Sequence, residues 1–259
     1  MVLADNLAVL VNNYFKDSNT YLGSINWLVC MLCFSFQIYF DFNGYSTIAR
    51  GIAKLCGIHF KLNFNHPYIA HSFSNFWQRW HISLSSFFRD YVYIPLGGNR
   101  KGKFRNKINL MFTFLVSGLW HGANLTFLIW GALHGFYLLI ERSLKLKVNF
   151  FLAKPIAIML VFMGVLFAWV FFRAQNIHEA IFILKEIWRF KSTENLKGVL
   201  INVTTFWLFI GILSEFLILN KTTKRILNYS ILQPIILAIL VILILFFRGP
   251  EQQFIYFQF

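Results

Sequence analysis

Long apolar stretches with few or no charged side chains alternate with short basic segments along this chain. A helix of about 20 such residues is long enough to cross the hydrocarbon core of a bilayer, which is about 30 Å thick. Four stretches have this length, and they are Tyr21–Phe40, Phe151–Phe172, Val199–Leu219 and Ile226–Phe247. We therefore predict four membrane-spanning helices.

A fifth apolar stretch, Ile108–Ile140, is too long for one span. Its 33 residues carry no charge, and as a single helix it would be about 50 Å long. Lys and Arg are abundant on both flanks, so both ends favour the cytoplasmic side. Gly118, Gly122 and Asn124 supply turn signals near the middle. This pattern predicts a short helical hairpin that turns back inside the membrane.

The turn of this hairpin carries a histidine, His121. Ionisable side chains at membrane depth are rare and usually face a cavity or a polar partner. His121 could be a neutral imidazole hydrogen-bonded to a neighbouring helix. It could instead line a buried tunnel and take a proton from an attacking hydroxyl, for which its ordinary pKa near 6.5 is suitable.

The stretch Phe73–Tyr91 has helical periodicity. Its apolar stripe consists of Phe73, Trp77, Trp80, Leu84, Phe87 and Tyr91. Polar residues occupy the other face, and His81 falls at the border between the two. The pattern predicts one amphipathic helix, lying at the membrane interface or packed under the spans. His81 could be an ordinary interfacial histidine, and Arg79 and Arg89 could contact lipid phosphates or a phosphorylated acyl carrier.

Composition sharpens this interpretation. The 259 residues are 58% hydrophobic and only 13% charged, whereas soluble domains are about 25% charged. An ordinary soluble protein and a disordered chain are both excluded. The net charge is +14. The basic residues cluster between apolar runs, as in cytoplasmic loops of membrane proteins, so the charge does not indicate nucleic-acid binding. We predict an all-α polytopic membrane protein with a single membrane domain over residues 1–259.

Motifs for metal or phosphate binding are weak. Cys30 and Cys33 have the CxxC spacing but lie inside an uncharged run, and no HxxxH pair is present, so we expect no metal. The segment Gly97–Phe104 nearly matches a phosphate loop, but Phe104 replaces the required Ser or Thr. His134, Tyr137 and Glu141 share a helical face that could line a cavity or form a packing network.

Several blocks of sequence resemble the bacterial membrane-bound O-acyltransferases, in order along the chain. They are Phe36–Ser46, Asn63–Tyr68, Phe76–Ser85, Phe88–Arg100, Gly118–Ala123, Ala168–Ala174 and Phe254–Phe259. The resemblance is closest to the branch of the alginate O-acetylation membrane subunit and the peptidoglycan O-acetyltransferases.

The resemblance implies a site and a reaction. His121 corresponds to the family's proposed catalytic histidine and His81 to its second motif histidine. Arg79, Trp120 and Asn124 are our candidate substrate-binding residues. Gln78 stands where relatives often have a second basic residue, which leaves the role of Arg79 open.

The resemblance also implies the surroundings of the reaction. The donor would be acetyl-CoA or another acyl thioester, with no tightly bound cofactor. Acetyl groups would pass to hydroxyls of a cell-surface polysaccharide, alginate-like or peptidoglycan, commonly through a periplasmic acetyltransferase partner. The location would be the bacterial inner membrane, crossed several times, and the side occupied by Arg173–Gly198 is left open.

Relatives in this branch are longer, and Val2–Leu7 resembles a block in the middle of their chains. We therefore expect this chain to correspond to their C-terminal half, with a possible partner in the missing N-terminal half. A non-catalytic membrane protein is the alternative function, either an inactive truncated relative or a transporter subunit.

Overall fold

The computed structural model describes residues 2–16, 23–144, 153–190, 203–227, 229, 232–252 and 254. No strand occurs among these residues, and the prediction of an all-α membrane fold is confirmed. The helices in the described ranges are α1 (Val2–Lys16), α2 (Ser24–Leu55), α3 (Phe73–Trp77), α4 (Ile82–Phe88), α5 (Gly102–His121), α6 (Leu125–Leu144), α7 (Ala153–Arg173), α8 (Ile177–Trp188), α9 (Val203–Leu219), α10 (Lys221–Leu227) and α11 (Leu232–Phe247).

Most described residues of the four predicted spans are helical, and Gly23 and Tyr229 are the exceptions among them. The fourth run, Ile226–Phe247, is not one helix as predicted, because α10 ends at Leu227 and α11 begins at Leu232. Residues 21–22, 151–152, 199–202, 228 and 230–231 of these runs lie outside the described residues. Helices α2 and α7 are long and apolar enough to cross a membrane, and α9 and α11 are shorter apolar helices. No residue of α11 is buried, and its exposed Ile, Leu and Phe side chains suit contact with lipid.

The end of the first span differs from the prediction. We placed it at Phe40, before the first charge, but α2 continues through Asp41 and Gly44 to Leu55. A charged side chain is costly to place in the hydrocarbon core, so the first charge marks the end of the membrane-spanning part. The helix itself ends only where its backbone hydrogen bonds end. The end of a span and the end of its helix are therefore different positions.

The chain divides into two compact units, Met1–Gly44 with Phe182–Gln258, and Tyr45–Ile181. In the first unit, α1 packs against α9 and α11. Leu7, Val11 and Phe15 form the buried face of α1, and the Phe15 ring meets Trp27 edge-on with centroids 5.6 Å apart. Apolar packing at helical spacing therefore holds this unit together.

The second unit contains the predicted pair of helices with a turn after His121, whereas the depth of this turn in the membrane stays a prediction. Helix α5 ends at His121, and α6 begins at Leu125 after a short turn. Glycines allow close packing of the two helices, because a Cβ atom on Gly118 would overlap the carbonyl oxygen of Phe127 and one on Gly131 would overlap that of Phe114. Small residues at such contacts bring helix backbones together.

The prediction of one amphipathic helix over Phe73–Tyr91 was wrong. Helix α3 ends at Trp77 and α4 begins at Ile82, and His81 between them has the left-handed backbone conformation with φ 42°. A wider, π-helical turn over Arg89–Tyr93 follows α4. The predicted apolar stripe is broken accordingly, since Trp80 is buried but Phe87 and Tyr91 are exposed.

A tertiary interaction explains this break. The backbone amide of Asn65 donates to the carbonyl of Arg79 at 2.9 Å, and the amide of Ile82 donates to the carbonyl of Asn63 at 2.9 Å. These bonds with the preceding loop take the place of helical hydrogen bonds. The hydrophobic periodicity of residues 73–91 carries no information about the loop that contains Asn63 and Asn65.

The close glycine contact between α5 and α6 gives a first prediction. We expect Gly131→Ala to destabilise the protein by about 1–3 kcal/mol, because the new Cβ overlaps a backbone oxygen and the helices must separate. Thermal unfolding of the detergent-solubilised protein measures the effect. Gly51→Ala in α2 is the matched control, since nothing lies within 4 Å of that position. A Gly131→Ala protein as stable as the control would contradict the proposed packing.

Candidate active site

His121 is the last residue of α5 and lies at the turn of the hairpin. Its imidazole is surrounded by aromatic rings, with centroid distances of 5.0 Å to Phe172, 5.1 Å to Trp130 and 6.3 Å to Phe127. These rings come from α6 and α7, so three helices define the orientation of one imidazole. An imidazole among aromatic rings has few water molecules to solvate a charge, which favours its neutral form.

His81 lies in the break between α3 and α4, and it is buried. Its Nδ1 is 3.2 Å from Asn63 Oδ1 and 3.4 Å from Ser83 Oγ, and its ring stacks on Phe64 with centroids 6.2 Å apart. Burial lowers the pKa of His81 to about 4, because an imidazolium loses its hydration there. His81 is therefore neutral at pH 7.

The fold places the two motif histidines at the border of one cluster of aromatic rings. A chain of aromatic contacts also connects them, from Phe64 beside His81 to Trp80, Trp169 and then Phe172 beside His121, with successive centroids 5.0 to 5.1 Å apart. Two histidines from separate sequence motifs thus share one aromatic enclosure, in which neutral imidazoles can accept protons.

The other predicted site residues occupy less direct positions. Trp120 is 53% exposed, and its ring lies 5.0 Å from that of His121. The Asn124 amide donates to the carbonyl of Gln175 at 2.7 Å and accepts from the amide of Thr126 at 3.1 Å. Asn124 therefore caps α6 and connects the hairpin turn to the loop before α8.

The two arginines of the 73–91 stretch bind groups of their own unit. Arg79 donates to Asn75 Oδ1 at 2.9 Å and to the carbonyl of Asn65 at 3.0 Å. Arg89 makes two hydrogen bonds to the carboxylate of Asp90, at 2.7 and 3.1 Å. Asp90 is exposed, and its hydrogen bonds with Arg89 lower the pKa of its carboxyl group. Arg79 in particular helps to hold the loop that pairs with the His81 break.

The shared face of His134, Tyr137 and Glu141 serves packing. The Glu141 carboxylate accepts the backbone amide of Phe73 at 2.6 Å, at the start of α3. Tyr137 stacks on Phe73 at 4.4 Å, and His134 is fully buried and stacks on Phe76 at 6.0 Å. This face of α6 therefore holds α3 in place, and α3 leads into the His81 break.

A cavity of about 430 Å³ lies beside the hairpin in the same unit. Its apolar wall includes Trp77, Leu110, Phe114 and Leu138, and its polar lining includes Thr113, Ser117 and Arg142. Thr113 and Ser117 are buried whereas Arg142 is exposed, so the cavity runs inward from the surface. Thr113, Ser117 and His121 follow at four-residue spacing on one helix face.

Sequence reasoning missed this cavity, because its lining comes from α3, α4, α5 and α6 and from the turn after α4. The polar residues Thr113 and Ser117 within an otherwise apolar run were the available signal. Their spacing from His121 indicates a polar face but not the presence of open space.

Comparison with known proteins agrees with the site. A family model described as the membrane-bound O-acyltransferase family matches residues 8–182. The chain is 49% identical to a probable alginate O-acetylase of Pseudomonas putida over 178 residues, which are 69% of this chain and 36% of that protein. It is 44% identical to a peptidoglycan O-acetyltransferase of Helicobacter pylori, over 71% of this chain and 36% of that protein.

A more distant relative acts on another polymer. The chain is 34% identical to a teichoic acid D-alanyltransferase of Bacillus subtilis, over 48% of this chain and 34% of that protein. The chain thus spans little more than a third of the length of these curated relatives. Because the family model covers more than half of the chain, including both motif histidines, the chain belongs to the membrane-bound O-acyltransferase family.

Proposed function

We propose that this protein acts as a membrane O-acetyltransferase, which moves acetyl groups from a thioester donor to hydroxyl groups of a cell-surface polysaccharide. The observation that carries the proposal is that His121 and His81 border one continuous cluster of aromatic rings. Acyl transfer to a hydroxyl needs a proton acceptor at the reacting oxygen, and a neutral imidazole supplies one.

In the proposed reaction, the acceptor hydroxyl attacks the thioester carbonyl carbon. An oxygen–carbon bond forms, the carbon–sulfur bond breaks, and the hydroxyl proton passes through the His121 imidazole to the departing thiolate. His81 positions the reacting group. The aromatic walls exclude water, which would otherwise compete with the acceptor and weaken each electrostatic contact. In this proposal Trp120 contacts the acceptor, which is supported by its exposure and its position beside His121.

The donor in this proposal is an acyl thioester, with acetyl-CoA as the specific candidate. The cavity beside α5 supports this choice, because its lining combines apolar side chains with hydroxyl groups and the exposed guanidinium of Arg142. Arg142 makes no ion pair with any residue in the described part of the chain, so its charge is available to a phosphate. Thr113 and Ser117 extend the polar lining toward His121.

The acceptor in this proposal is a polysaccharide of the cell envelope, alginate-like or peptidoglycan. The names of the relatives support this class, since they act on alginate, peptidoglycan or teichoic acid. A periplasmic acetyltransferase partner would pass the acetyl group onward, and the protein would cross the bacterial inner membrane several times. We also propose that residues 1–259 belong to a single membrane domain.

The test of the function is genetic complementation with His121→Ala. Cells that lack this gene receive either the wild-type gene or the variant, and acetate released from their surface polysaccharide by mild alkali is measured. We expect the variant to lower polysaccharide acetylation by about 10²-fold or more, which is the usual contribution of a general base.

His59→Ala is the matched control for this experiment, since His59 is an exposed histidine of the same unit. It should preserve acetylation. Wild-type acetylation with His121→Ala, at normal protein level, would contradict the proposed role. If acetylation also persists in cells that lack the gene, a non-catalytic function is favoured instead.

The donor cavity gives a separate prediction. We expect Arg142→Gln to raise the KM for acetyl-CoA about three- to tenfold with little change in kcat, because a partly exposed guanidinium contributes to binding rather than to chemistry. Membranes that contain the wild-type or variant protein are assayed with labelled acetyl-CoA. Arg105→Gln is the control, since Arg105 is exposed on α5 and does not line the cavity. Equal KM values in both variants would exclude Arg142 from the donor site.

A further inference from the structure

Asn63 lies in the loop between α2 and α3, and its side chain contacts the His81 break at several points. Its Oδ1 lies 3.2 Å from His81 Nδ1, 3.2 Å from the backbone nitrogen of Ser83 and 2.9 Å from Ser83 Oγ. Its Nδ2 donates to Ser46 Oγ at 3.2 Å. Both ends of this amide are therefore engaged.

These contacts determine which end of the amide faces His81. The backbone N–H of Ser83 can only donate, so the atom it meets must be the carbonyl oxygen of Asn63. An amide oxygen can only accept. A lone pair on His81 Nδ1 would repel this oxygen at 3.2 Å, so the contact favours a proton on Nδ1. The Ser83 hydroxyl, 3.4 Å from Nδ1, is compatible with that proton because its oxygen can accept. In the neutral ring, Nε2 then carries the lone pair.

We propose that Asn63 is a positioning residue, which holds His81 in the Nδ1–H tautomer and makes its Nε2 the hydrogen-bond acceptor in the active site. The tautomer is inferred from the contacts among Asn63, Ser83 and His81, whereas its catalytic use rests on the proposed function. His81 thus orients a hydroxyl or N–H group by accepting a hydrogen bond and does not polarise the thioester by donating one.

The backbone around His81 supports the same role. The left-handed conformation of His81 is costly for a residue with a Cβ atom and persists only where surrounding contacts enforce it. Asn63 supplies such contacts twice, through its side chain and through its carbonyl, which accepts the amide of Ile82 at 2.9 Å. One residue therefore holds both the backbone and the ring of His81.

Two ionisable side chains belong to the surroundings of His81. His121, at the end of α5, borders the same cluster of aromatic rings. Arg79 lies on the same segment as His81, and its guanidinium is directed to Asn65 and Asn75. A new carboxylate at position 63 would lie within hydrogen-bond distance of His81 Nδ1 and would therefore stabilise an imidazolium at position 81.

The experiment compares Asn63→Ala and Asn63→Asp in the full chain. The first readout is nitrogen-15 NMR of the histidine-labelled protein in detergent, with the His81 signals assigned by their loss in His81→Gln. We expect the Nδ1–H pattern in the wild type and in Asn63→Asp, because a carboxylate also accepts a hydrogen bond. Asn63→Ala should lose this pattern, since no acceptor remains at Nδ1.

The second readout is the pH dependence of acetyl transfer. Asn63→Ala should lower kcat about tenfold or more with little change in KM, as expected when an orienting partner is lost. Asn63→Asp should retain most activity at pH 8. As the pH is lowered, this variant should lose activity at a pH about one to three units above that at which the wild type loses it. The physical reason is that a carboxylate favours the charged form of His81, which has no acceptor atom.

Asn65→Ala is the matched control, because Asn65 is exposed in the same loop and binds Arg79 through its backbone. It should leave the NMR pattern and the pH profile unchanged. An Nε2–H pattern in the wild type overturns the proposal, as does wild-type kcat in Asn63→Ala. An inactive wild type would contradict the proposed function instead, and the NMR comparison would still decide the tautomer.

Discussion

The close contact between α5 and α6 is the constraint on which the site depends. Gly118 and Gly131 allow each helix to approach the backbone of the other, and the short turn that follows holds His121 at the end of α5. The same contact directs one face of the hairpin toward α7 and places Trp130 and Phe172 around the imidazole. The walls of the cavity, from Leu110 and Leu138, belong to this pair as well. A wider helix pair would alter all of these features together.

His81 is held by hydrogen bonds and not by helix packing. The segment around it lacks continuous helical hydrogen bonds and pairs instead with the loop around Asn63. The cost of the left-handed backbone at His81 is offset by hydrogen bonds from one asparagine, which also orients the ring. Strain at this position therefore accompanies a defined tautomer, and both imidazoles enter the site from rigid surroundings.

Aromatic side chains surround both imidazoles. Trp80, Trp130 and Trp169 are almost fully buried, and they connect the two histidines through edge and stacked contacts. Such walls exclude water and favour neutral imidazoles, which are the forms able to accept a proton.

The sequence by itself determined the helical membrane class, the four apolar helices, the hairpin and the family, because charge spacing and local motifs report directly on burial in lipid and on turns. It also predicted His121 and His81 as candidate catalytic residues. Tertiary structure decided what depends on partners distant in sequence. Periodicity predicted one helix over Phe73–Tyr91, but pairing with Asn63 and Asn65 broke it at His81. The position of the first charged residue predicted that the first span ends at Phe40, but the hydrogen bonds of helix α2 continue to Leu55. The tautomer of His81 and the cavity along α5 arise only from side chains of separate elements, which no local pattern can bring together.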